Sequence, residues 1–456
     1  MFSQIGETIF EHEVVAKTSD FNMGLEVEMH RADSQGRISS DPTPAGISLN
    51  SPWVTKDFTE TMTEVVTPAA SNSLDAIHYL YSIQNALRAA LAPGEVLWPL
   101  SMPPAFTDAS KIELAQTTPE KHAYLERVLE NMGRVNKGLP CGAHISLSID
   151  DHVVDIIWEQ NSGRFASKAA LKNHLYLLLA QGFVRYRWVL TYLFGASPVA
   201  EAGFFDPEDD QPTGPIRCLR QSHYGFDMRF KGDYSKIPNY VERIETGVAN
   251  GEIIDEAQFH GAIRLKTSGD LTDMEENGVS YIELRMLDLD PTSTTGVKLD
   301  TLRLLRIMAS YFIMTPGMQT KDVSATIQRA NEINEEVATE DPTTHSQYEI
   351  AGKNFLNRIF QFANQIQLGP EYLETLETMM DRFDNPANTI SGQLVAHLEN
   401  GSLLPYMTKR AAHYQDGALM AMRTFNGFAD METPLSAEDL KNNLFRGSYE
   451  PSGLVE

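Results

Sequence analysis

Two short stretches alternate apolar and charged residues, and they constrain the fold more than any other feature of this sequence. They are residues 24–29 (GLEVEM) and residues 281–286 (YIELRM). Successive side chains of a β-strand point to opposite faces of its sheet. Each stretch is therefore predicted to form a strand that buries its apolar face and presents a charged face on the other side.

The charged faces of these two predicted strands carry a repeated pattern. Glu26 and Glu28 point the same way from the first strand, and Glu283 and Arg285 point the same way from the second. Carboxylates that are held side by side repel each other and resist burial unless cations neutralise them. The pattern indicates a floor of Mg²⁺-binding acids with an arginine among them, which is typical of ATP chemistry. Spacing alone leaves two alternatives open. Glu26 and Glu28 could be solvated residues on an edge strand, and Glu283 and Arg285 could form an ion pair that has no function.

The composition is ordinary for a soluble globular enzyme. The chain has 456 residues, of which 42% are hydrophobic and 22% are charged, and its formal net charge is −25. These proportions are typical of a globular protein rather than a disordered one. A surface this acidic repels the phosphates of nucleic acids and anionic lipids, so neither a nucleic acid nor a membrane is expected as a partner.

The cysteines and apolar segments predict a cytoplasmic protein. Cys141 and Cys218 provide no disulfide framework, and we expect two free thiols in or near the core, with a pairing of the two as the open alternative. The N-terminus has no basic start followed by an apolar run, so no signal peptide is predicted. The longest apolar tract, residues 175–200, is interrupted by Arg185 and Arg187 and is predicted to be buried helix.

Periodicity predicts an α+β fold with a mostly antiparallel sheet and a helical C-terminal third. Strands are expected within 20–70 and over 142–149, helices over 73–91, 119–136 and 165–194, and mixed structure over 216–297. Residues 298–456 are expected to be mainly helical. Because no repeat or low-complexity linker is found, we expect residues 1–456 to form a single catalytic domain.

Three further side chains are candidates for binding a metal ion. Asp57 and Glu64 lie in a threonine-rich stretch that favours extended structure, and His144 lies on the predicted strand over 142–149. Carboxylate oxygens suit Mg²⁺ or Mn²⁺, and a single imidazole is tolerated, particularly by Mn²⁺. Taken separately, Asp57 and Glu64 are ordinary acidic residues. The alternative for His144 is a histidine in the core or on the surface that binds no metal.

Four basic residues are candidates for binding a carboxylate or a triphosphate. A guanidinium group binds such anions through two parallel hydrogen bonds, which makes Arg220 and Arg285 the natural partners of a substrate. Arg264 and Lys266 add positive charge for a triphosphate. No P-loop or dinucleotide fingerprint is present, so the spacing by itself predicts only a metal-dependent enzyme.

Taken in order, several segments resemble the bacterial glutamate–cysteine ligase (γ-glutamylcysteine synthetase) family, which belongs to the glutamine synthetase-like carboxylate–amine ligases. The matching segments are GLEVE (24–28), WVTKDFTETMTEVVTP (53–68), LWPLSMPP (97–104), GAHISLS (142–148), YLFGASP (192–198), LRQSHYGF (219–226), GVSYIELRMLDLDP (278–291) and FDNP (383–386). They extend over most of the chain. No ATP-grasp domain is recognised after them, so the resemblance is to the stand-alone form of the ligase.

The resemblance implies a curved antiparallel sheet that forms a funnel for ATP and metal ions. It implies that ATP phosphorylates the γ-carboxylate of L-glutamate and that the amine of L-cysteine then displaces phosphate, which is the first step of glutathione synthesis. Two or three Mg²⁺ ions are expected, with Mn²⁺ as an alternative. By motif position, their ligands are Glu26, Glu28, Asp57, Glu64, His144 and Glu283. Arg220 and Arg285 are expected to bind substrate and to stabilise the transferring phosphoryl group.

The sequence departs from the family pattern where the acceptor amine is expected to bind. Ser146 stands where the family usually has asparagine, and Phe226 stands where a tyrosine is expected. Tyr124 matches another tyrosine of the cysteine site only after a shift of one residue. The ATP and metal side therefore matches better than the acceptor side, and another amine acceptor stays open.

Two alternatives to cysteine ligation remain at this point. One is a γ-glutamyl ligase with the same chemistry and another amine acceptor, and the other is a non-catalytic relative that binds a magnesium–nucleotide complex. The presence of every candidate metal ligand together with Arg220 and Arg285 speaks against the second alternative. A monomer is favoured without the oligomeric state being determined, and no general base for the amine is identified.

Overall fold

A long strand, β1 (Asn22–Asp33), lies at the centre of the sheet. The computed structural model describes residues 2–19, 21–39, 52–225 and 230–423. The other strands in these ranges are β2 (Val54–Lys56), β3 (Met62–Val66), β4 (Glu95–Leu97), β5 (Ala143–Ser148), β6 (Ile263–Thr267) and β7 (Val279–Leu287). Their order is β2-β3-β1-β5-β7-β6, and β4 pairs with the end of β1. All of these strand pairings are antiparallel, which confirms the predicted type of sheet.

The alternation in the two key stretches has the predicted effect. Leu25, Val27 and Met29 of β1 are at most 2% exposed and lie in the main hydrophobic core. Ile282 and Leu284 of β7 are fully buried in the same core. One face of the sheet is therefore held by apolar packing, while the other face is free to carry charge.

Helices cover the apolar face of the sheet and form the part of the chain that follows it. The helices up to residue 277 are α1 (Gln4–Glu11), α2 (Val15–Ser19), α3 (Ser73–Ala90), α4 (Pro119–Met132), α5 (Asp151–Asn161), α6 (Lys168–Arg185), α7 (Arg187–Phe194), α8 (Ile237–Ala249) and α9 (Met274–Asn277). Those that follow are α10 (Leu299–Met314), α11 (Thr320–Ala338), α12 (Glu349–Gln365), α13 (Pro370–Asp384), α14 (Ile390–Val395) and α15 (Leu404–Met422). Both α6 and α7 pack against β7, and α3 packs against β1.

Most predicted elements are present, with small differences at their ends. The helix predicted over 119–136 ends at Met132, because Gly133 adopts a left-handed conformation (φ 82°) that closes it, and a short 3₁₀ helix, Val135–Gly138, follows. The predicted 165–194 helical region is divided into α6 and α7. From residue 298 to residue 423 the described elements are helices, turns and one isolated bridge, as expected for the C-terminal third.

Two other expectations can be compared with the described residues. Cys141 and Cys218 are buried free thiols, which confirms the expectation of two unpaired cysteines. None of the described helices is long and apolar enough to cross a membrane. That residues 1–456 form a single domain stays a prediction.

We expect the substitution Glu95→Gln to destabilise the fold strongly. Arg31 Nη1 and Glu95 Oε1 lie 2.6 Å apart, and both side chains are almost completely buried. Removing one partner of a buried ion pair leaves the other charge uncompensated, so the free energy of unfolding is expected to fall by about 3 kcal/mol. Urea denaturation followed by circular dichroism measures this.

The matched control for this experiment is Asp33→Asn, on strand β1, which also carries Arg31. Asp33 pairs with Arg37 at 2.9 Å, but these side chains are 35% and 58% exposed. An exposed ion pair contributes less than about 1 kcal/mol. Equal losses in the two variants would contradict the role that we assign to the buried pair.

Candidate functional site

The polar face of the sheet lines a cavity of about 360 Å³. Strands β1, β3, β5, β6 and β7 each contribute side chains, and the loops beside them complete the wall. The cavity contains twelve of the thirteen site residues predicted from the sequence: Glu26, Glu28, Asp57, Glu64, Tyr124, His144, Ser146, Arg220, Arg264, Lys266, Glu283 and Arg285. The thirteenth, Phe226, lies outside the described residues.

Strand register places acids from different strands next to one another. In the pairing of β1 with β3, Glu28 lies directly opposite Glu64. In the pairing of β1 with β5, Glu26 lies opposite His144. Directly opposed residues of antiparallel strands have neighbouring side chains on one face of the sheet. A slip of one residue would move these acids into the apolar core, so the buried face fixes the register.

Strand β7 adds the second acid–arginine pattern to the same face. Glu283 lies opposite Ser146 of β5 and opposite Arg264 of β6. The guanidinium of Arg285 is hydrogen-bonded to Glu283 through Nη1, and the same atom lies 3.9 Å from Glu26 Oε1. Arg285 therefore bridges the acids of β1 and β7.

His144 lies in the middle of this cluster. Its Nδ1 is 2.6 Å from Glu26 Oε1, 3.7 Å from Glu28 Oε1 and 3.8 Å from Glu283 Oε1. Burial and the charge of Arg285 lower the pKa of His144, which favours the neutral imidazole that ligates metals. The alternative of a histidine packed only in the core does not describe this side chain, which faces three carboxylates.

Three of the acids resist ionisation where they lie. Burial and the charge of Asp57 raise the pKa of Glu28 to about 8. Burial and the charges of Glu26 and Asp57 raise the pKa of Glu64 well above its ordinary value. Burial also raises the pKa of Asp57, and the charge of Glu26 adds to the rise. These three acids have no nearby arginine or lysine that fully compensates them.

The other two acids are compensated within the protein. Burial alone would raise the pKa of Glu26, but His144 and Arg285 lower it well below its ordinary value. Burial opposes the same change at Glu283, whose pKa Arg285 and His144 nevertheless lower. The charges of Glu283 and Glu26 outweigh the effect of burial on Arg285 and raise its pKa.

The donor set of this cluster fits a divalent cation. Glu26, His144 and Glu283 each offer a ligand atom, and these atoms lie within 4.8 Å of one another. Glu28 and Glu64 lie opposite each other on the same face of the sheet. Their raised pKa values show that the negative charge is poorly compensated there, and a bound cation would neutralise it. Carboxylates with one imidazole suit Mg²⁺ or Mn²⁺.

Arg220 enters the cavity from a loop rather than from a strand. Its Nη1 donates hydrogen bonds to the carbonyl oxygens of Arg285 (3.3 Å) and Leu287 (3.2 Å), at the end of β7. The guanidinium passes close to Gly142, where an added Cβ would lie 2.1 Å from Arg220 Nη2 and 2.7 Å from His144 Nε2. The backbone N–H of Gly142 also donates to Glu28 Oε2 at 2.7 Å.

The two basic residues of β6, Arg264 and Lys266, differ in their contacts with the rest of the protein. Arg264 donates to the carbonyl oxygens of Phe259 (2.8 Å) and Ala257, and its Nη1 lies 3.9 Å from Glu283 Oε2. Lys266 is half-buried, and burial and the charge of Arg264 lower its pKa. Both side chains line the cavity, as expected for groups that add positive charge near a triphosphate.

The predicted acceptor side of the cavity is more apolar. Tyr124 of α4 lies there, and burial and the nearby Asp255 raise the pKa of its hydroxyl, so that the phenol stays neutral. The neighbouring wall is formed by Phe58, Leu125, Val128 and Met132. Ser146 also lines the cavity, so two of the three residues predicted for the acceptor side lie in the cavity, and their role there stays a prediction.

Two residues of this region were missed by sequence reasoning. His260 is half-buried and lines the cavity, and its partial burial together with Arg285 and Arg264 lowers its pKa well below the ordinary value. It precedes β6 in a loop with no alternation, so no pattern singles it out. Asp288 lies in the quoted LDLDP segment, but its partners come from loops that are distant in sequence and only become visible in the structure.

Comparison with known proteins agrees with the predicted family. A family model described as glutamate–cysteine ligase matches residues 7–251 and 228–335. The glutathione biosynthesis bifunctional protein GshAB of Streptococcus thermophilus is 31% identical over 420 residues, which is 90% of this chain and 54% of that protein. The GshAB protein of Lactiplantibacillus plantarum is 29% identical over 451 residues, or 97% of this chain and 58% of that protein. The chain thus spans about half the length of these curated relatives.

Solved structures give the same result for the fold. A bifunctional glutathione synthetase from Pasteurella multocida superimposes with a TM-score of 0.84 at 28% identity, over 92% of this chain and 55% of that one. The glutamate–cysteine ligase of Francisella tularensis, solved in complex with AMP, superimposes with a TM-score of 0.75 over 88% of this chain and 89% of that one. At 18% identity, the second likeness concerns the fold alone.

The family model covers more than half of the chain, and the fold agrees with it. Both the predicted family and the prediction of an enzyme of the ligase class are confirmed. The chain belongs to the glutamate–cysteine ligase family.

Proposed function

We propose that this chain catalyses the ATP-dependent ligation of the γ-carboxylate of L-glutamate to the amine of L-cysteine. A carboxylate is a poor electrophile, so ATP first converts it into a γ-glutamyl phosphate and releases ADP. The amine then attacks the acyl carbon, phosphate leaves, and γ-glutamylcysteine is formed. The family membership and the names of the GshAB relatives support this reaction.

The observation that carries the proposal is the arrangement of charge in the cavity. Five carboxylates and an imidazole are combined with Arg285 and Arg220 in a single pocket. Phosphoryl transfer requires mainly positioning and neutralisation of negative charge, which such groups provide. A protein that only bound a magnesium–nucleotide complex would have no use for arginines placed among the metal ligands.

The residues of the chain divide this work among them. Glu26, Glu28, Asp57, Glu64, His144 and Glu283 would hold two or three Mg²⁺ ions, with Mn²⁺ as an alternative. When bound, these ions neutralise the triphosphate and polarise the transferring phosphoryl group. Arg285 and Arg220 bind the glutamate carboxylate and stabilise the phosphoryl group, and Arg264 and Lys266 add charge near the triphosphate. The complex of the Francisella tularensis ligase with AMP supports ATP as the co-substrate.

The experiment that tests this function is a measurement of ADP release from the purified protein with Mg·ATP and L-glutamate. Cysteine, a panel of other amines and no acceptor are compared, and L-aspartate replaces L-glutamate in a parallel series. Strong stimulation by cysteine, with γ-glutamylcysteine in the mass spectrum, supports the proposal. Stimulation only by another amine, which the departures at Ser146 and Phe226 make worth testing, would change the acceptor. No glutamate-dependent ADP release would overturn the proposal.

We expect the substitution Arg285→Ala to lower kcat by ~10²- to 10³-fold. Removing other groups that stabilise developing charge in a transition state has an effect of this size. Arg285 contacts Glu283 and faces Glu26, so it is the positive charge nearest to the predicted metal ligands. Steady-state ADP release measures the loss. The control is Arg329→Ala on the exposed face of α11, which should retain wild-type rates. Wild-type turnover in Arg285→Ala with an intact fold would contradict the proposed role.

Divalent cations are expected to stabilise the wild-type protein, and Glu64→Gln should reduce this effect. The raised pKa of Glu64 means that the folded state binds a proton more tightly than the unfolded state. Ionised Glu64 therefore costs stability as the pH rises above its ordinary pKa. At pH 8 without cations, Glu64→Gln should melt at a higher temperature than the wild type, but it should gain less from added Mg²⁺.

The control for the cation experiment is Glu201→Gln. Glu201 is also a buried carboxylate whose pKa is raised by burial, but it lies outside the cavity and is hydrogen-bonded to Ser402. Differential scanning calorimetry with and without Mg²⁺ measures both variants. Glu201→Gln should retain the full Mg²⁺ response, and an undiminished response in Glu64→Gln would exclude Glu64 as a ligand.

Gly142→Ala should disturb the site without disturbing the sheet. The added methyl group would lie within 3 Å of Arg220 and His144, and both side chains are buried with little room to move. We expect kcat/KM to fall at least about tenfold, which corresponds to ~1.4 kcal/mol of transition-state stabilisation. Gly24→Ala on β1 is the control, because its added Cβ meets only the Ser146 side chain at an ordinary 3.7 Å. Similar kinetics in both variants would show that the close approach at Gly142 is not required.

A further inference from the structure

Asp288 follows β7 and is hydrogen-bonded to two other segments, the one that follows α7 and the one that contains Cys218 and Arg220. Its Oδ2 atom accepts hydrogen bonds from the backbone N–H of Ala196 (2.9 Å), the hydroxyl of Ser197 (2.6 Å) and the thiol of Cys218 (3.1 Å). Burial and the charge of Asp288 raise the pKa of Cys218, so its thiol stays protonated and able to donate. One carboxylate oxygen is thus fully engaged.

The other oxygen of Asp288 is in a different situation. The side chain is fully buried, and Oδ1 has no hydrogen-bond partner. The nearest positive group is Arg220 Nη1, at 3.9 Å. A buried carboxylate oxygen that lacks a hydrogen bond is costly unless an opposite charge faces it. Arg220 provides that charge.

Asp288 is connected to the backbone of Arg220 as well as to its side chain. The hydroxyl of Ser197 donates to Asp288 Oδ2 and accepts a hydrogen bond from the backbone N–H of Arg220 at 3.1 Å. The position of the Arg220 backbone is therefore linked through Ser197 to the same carboxylate that faces its guanidinium. Asp288 therefore holds Arg220 in two ways, directly through the guanidinium and through Ser197 at the backbone N–H.

We propose that Asp288 is a positioning residue that holds the Arg220 guanidinium toward the substrate cavity. The carbonyl oxygens of Arg285 and Leu287 orient Arg220 Nη1, but they carry only partial charge. The full negative charge of Asp288 keeps the guanidinium at the edge of β7 when no substrate carboxylate is present. Arg220 is then already oriented when substrate arrives, which reduces the entropic cost of binding. The inference rests on the proposed function, in which Arg220 binds a substrate anion.

The test is Asp288→Asn. The asparagine oxygen keeps an acceptor for Ala196, Ser197 and Cys218, while an uncharged amide that is also a donor replaces the oxygen that faces Arg220. We expect the KM for L-glutamate to rise at least tenfold, with a smaller change in kcat and in the KM for Mg·ATP. A purely structural role would instead lower the amount of folded protein and leave the KM unchanged.

Asp290→Asn is the matched control, since Asp290 lies two residues away in the same segment and is buried to the same extent. Its Oδ1 accepts from Thr292, and its Oδ2 lies 3.4 Å from Lys298 Nζ, away from Arg220. We expect the KM for L-glutamate to be unchanged in this variant. An equal rise in both variants would overturn the proposal.

A double-mutant cycle separates positioning from other effects. If Asp288 acts through Arg220, then Asp288→Asn should change the KM by less than about twofold in an Arg220→Lys background. Additive effects of the two substitutions would overturn the proposal. Ser197→Ala removes the hydroxyl that links Asp288 Oδ2 to the Arg220 backbone but keeps the carboxylate that faces the guanidinium, so it should raise the KM by a smaller factor than Asp288→Asn.

A second readout does not depend on turnover. Phenylglyoxal labelling followed by peptide mass spectrometry reports how freely each arginine reacts, and Arg220 should react at least fivefold faster in Asp288→Asn than in the wild type or Asp290→Asn. If the wild type has no ligase activity but this difference is present, the proposed function fails and the positioning role stands. Equal labelling in all three proteins would overturn the positioning role itself.

Discussion

The antiparallel register of β1 with β3 and β5 is the constraint on which the rest of the site depends. It sets Glu28 opposite Glu64 and Glu26 opposite His144, although acids in such positions repel one another. Apolar side chains on the reverse face of the same strand outweigh this repulsion, because a shift by one residue would exchange the buried and charged faces. The hydrophobic core therefore fixes a charged surface that would not assemble on its own.

Within that surface the acids fall into two groups, which differ in how their charge is balanced. Glu26 and Glu283 are compensated by Arg285 and His144, and their pKa values are lowered. Glu28 is buried and Glu64 and Asp57 are half-buried near other carboxylates, and the pKa values of all three are raised. The first group is compensated by protein charges, whereas the second would be stabilised by the divalent cations of the proposed function. On that proposal, metal binding and folding of this face are coupled.

Period-two alternation was sufficient to predict which residues of β1 and β7 face the cavity, because strand geometry leaves little freedom. Asp57, Glu64 and His144 were candidates from their residue types and segments, but assigning them to one metal site needed the family resemblance, since their separate segments show no reason to meet until the strands pair. His260 and Asp288 were not predicted as functional. They lie in irregular segments, where neither periodicity nor spacing indicates the direction of a side chain, and their partners come from distant parts of the chain. The end of α4 at Met132 depended on the conformation of Gly133.

Arg285 and Arg220, which both line the cavity, show how an arginine on a strand and an arginine on a loop differ in what orients them. Arg285 lies on β7, where the strand backbone and the ion pair with Glu283 orient it directly. Arg220 lies on a loop, so its orientation depends on contacts made after the chain folds back. The carbonyl oxygens at the end of β7 and the buried carboxylate of Asp288 supply these contacts. An arginine on a loop needs neighbouring side chains and carbonyl groups that orient it, because the backbone alone does not determine where its guanidinium points.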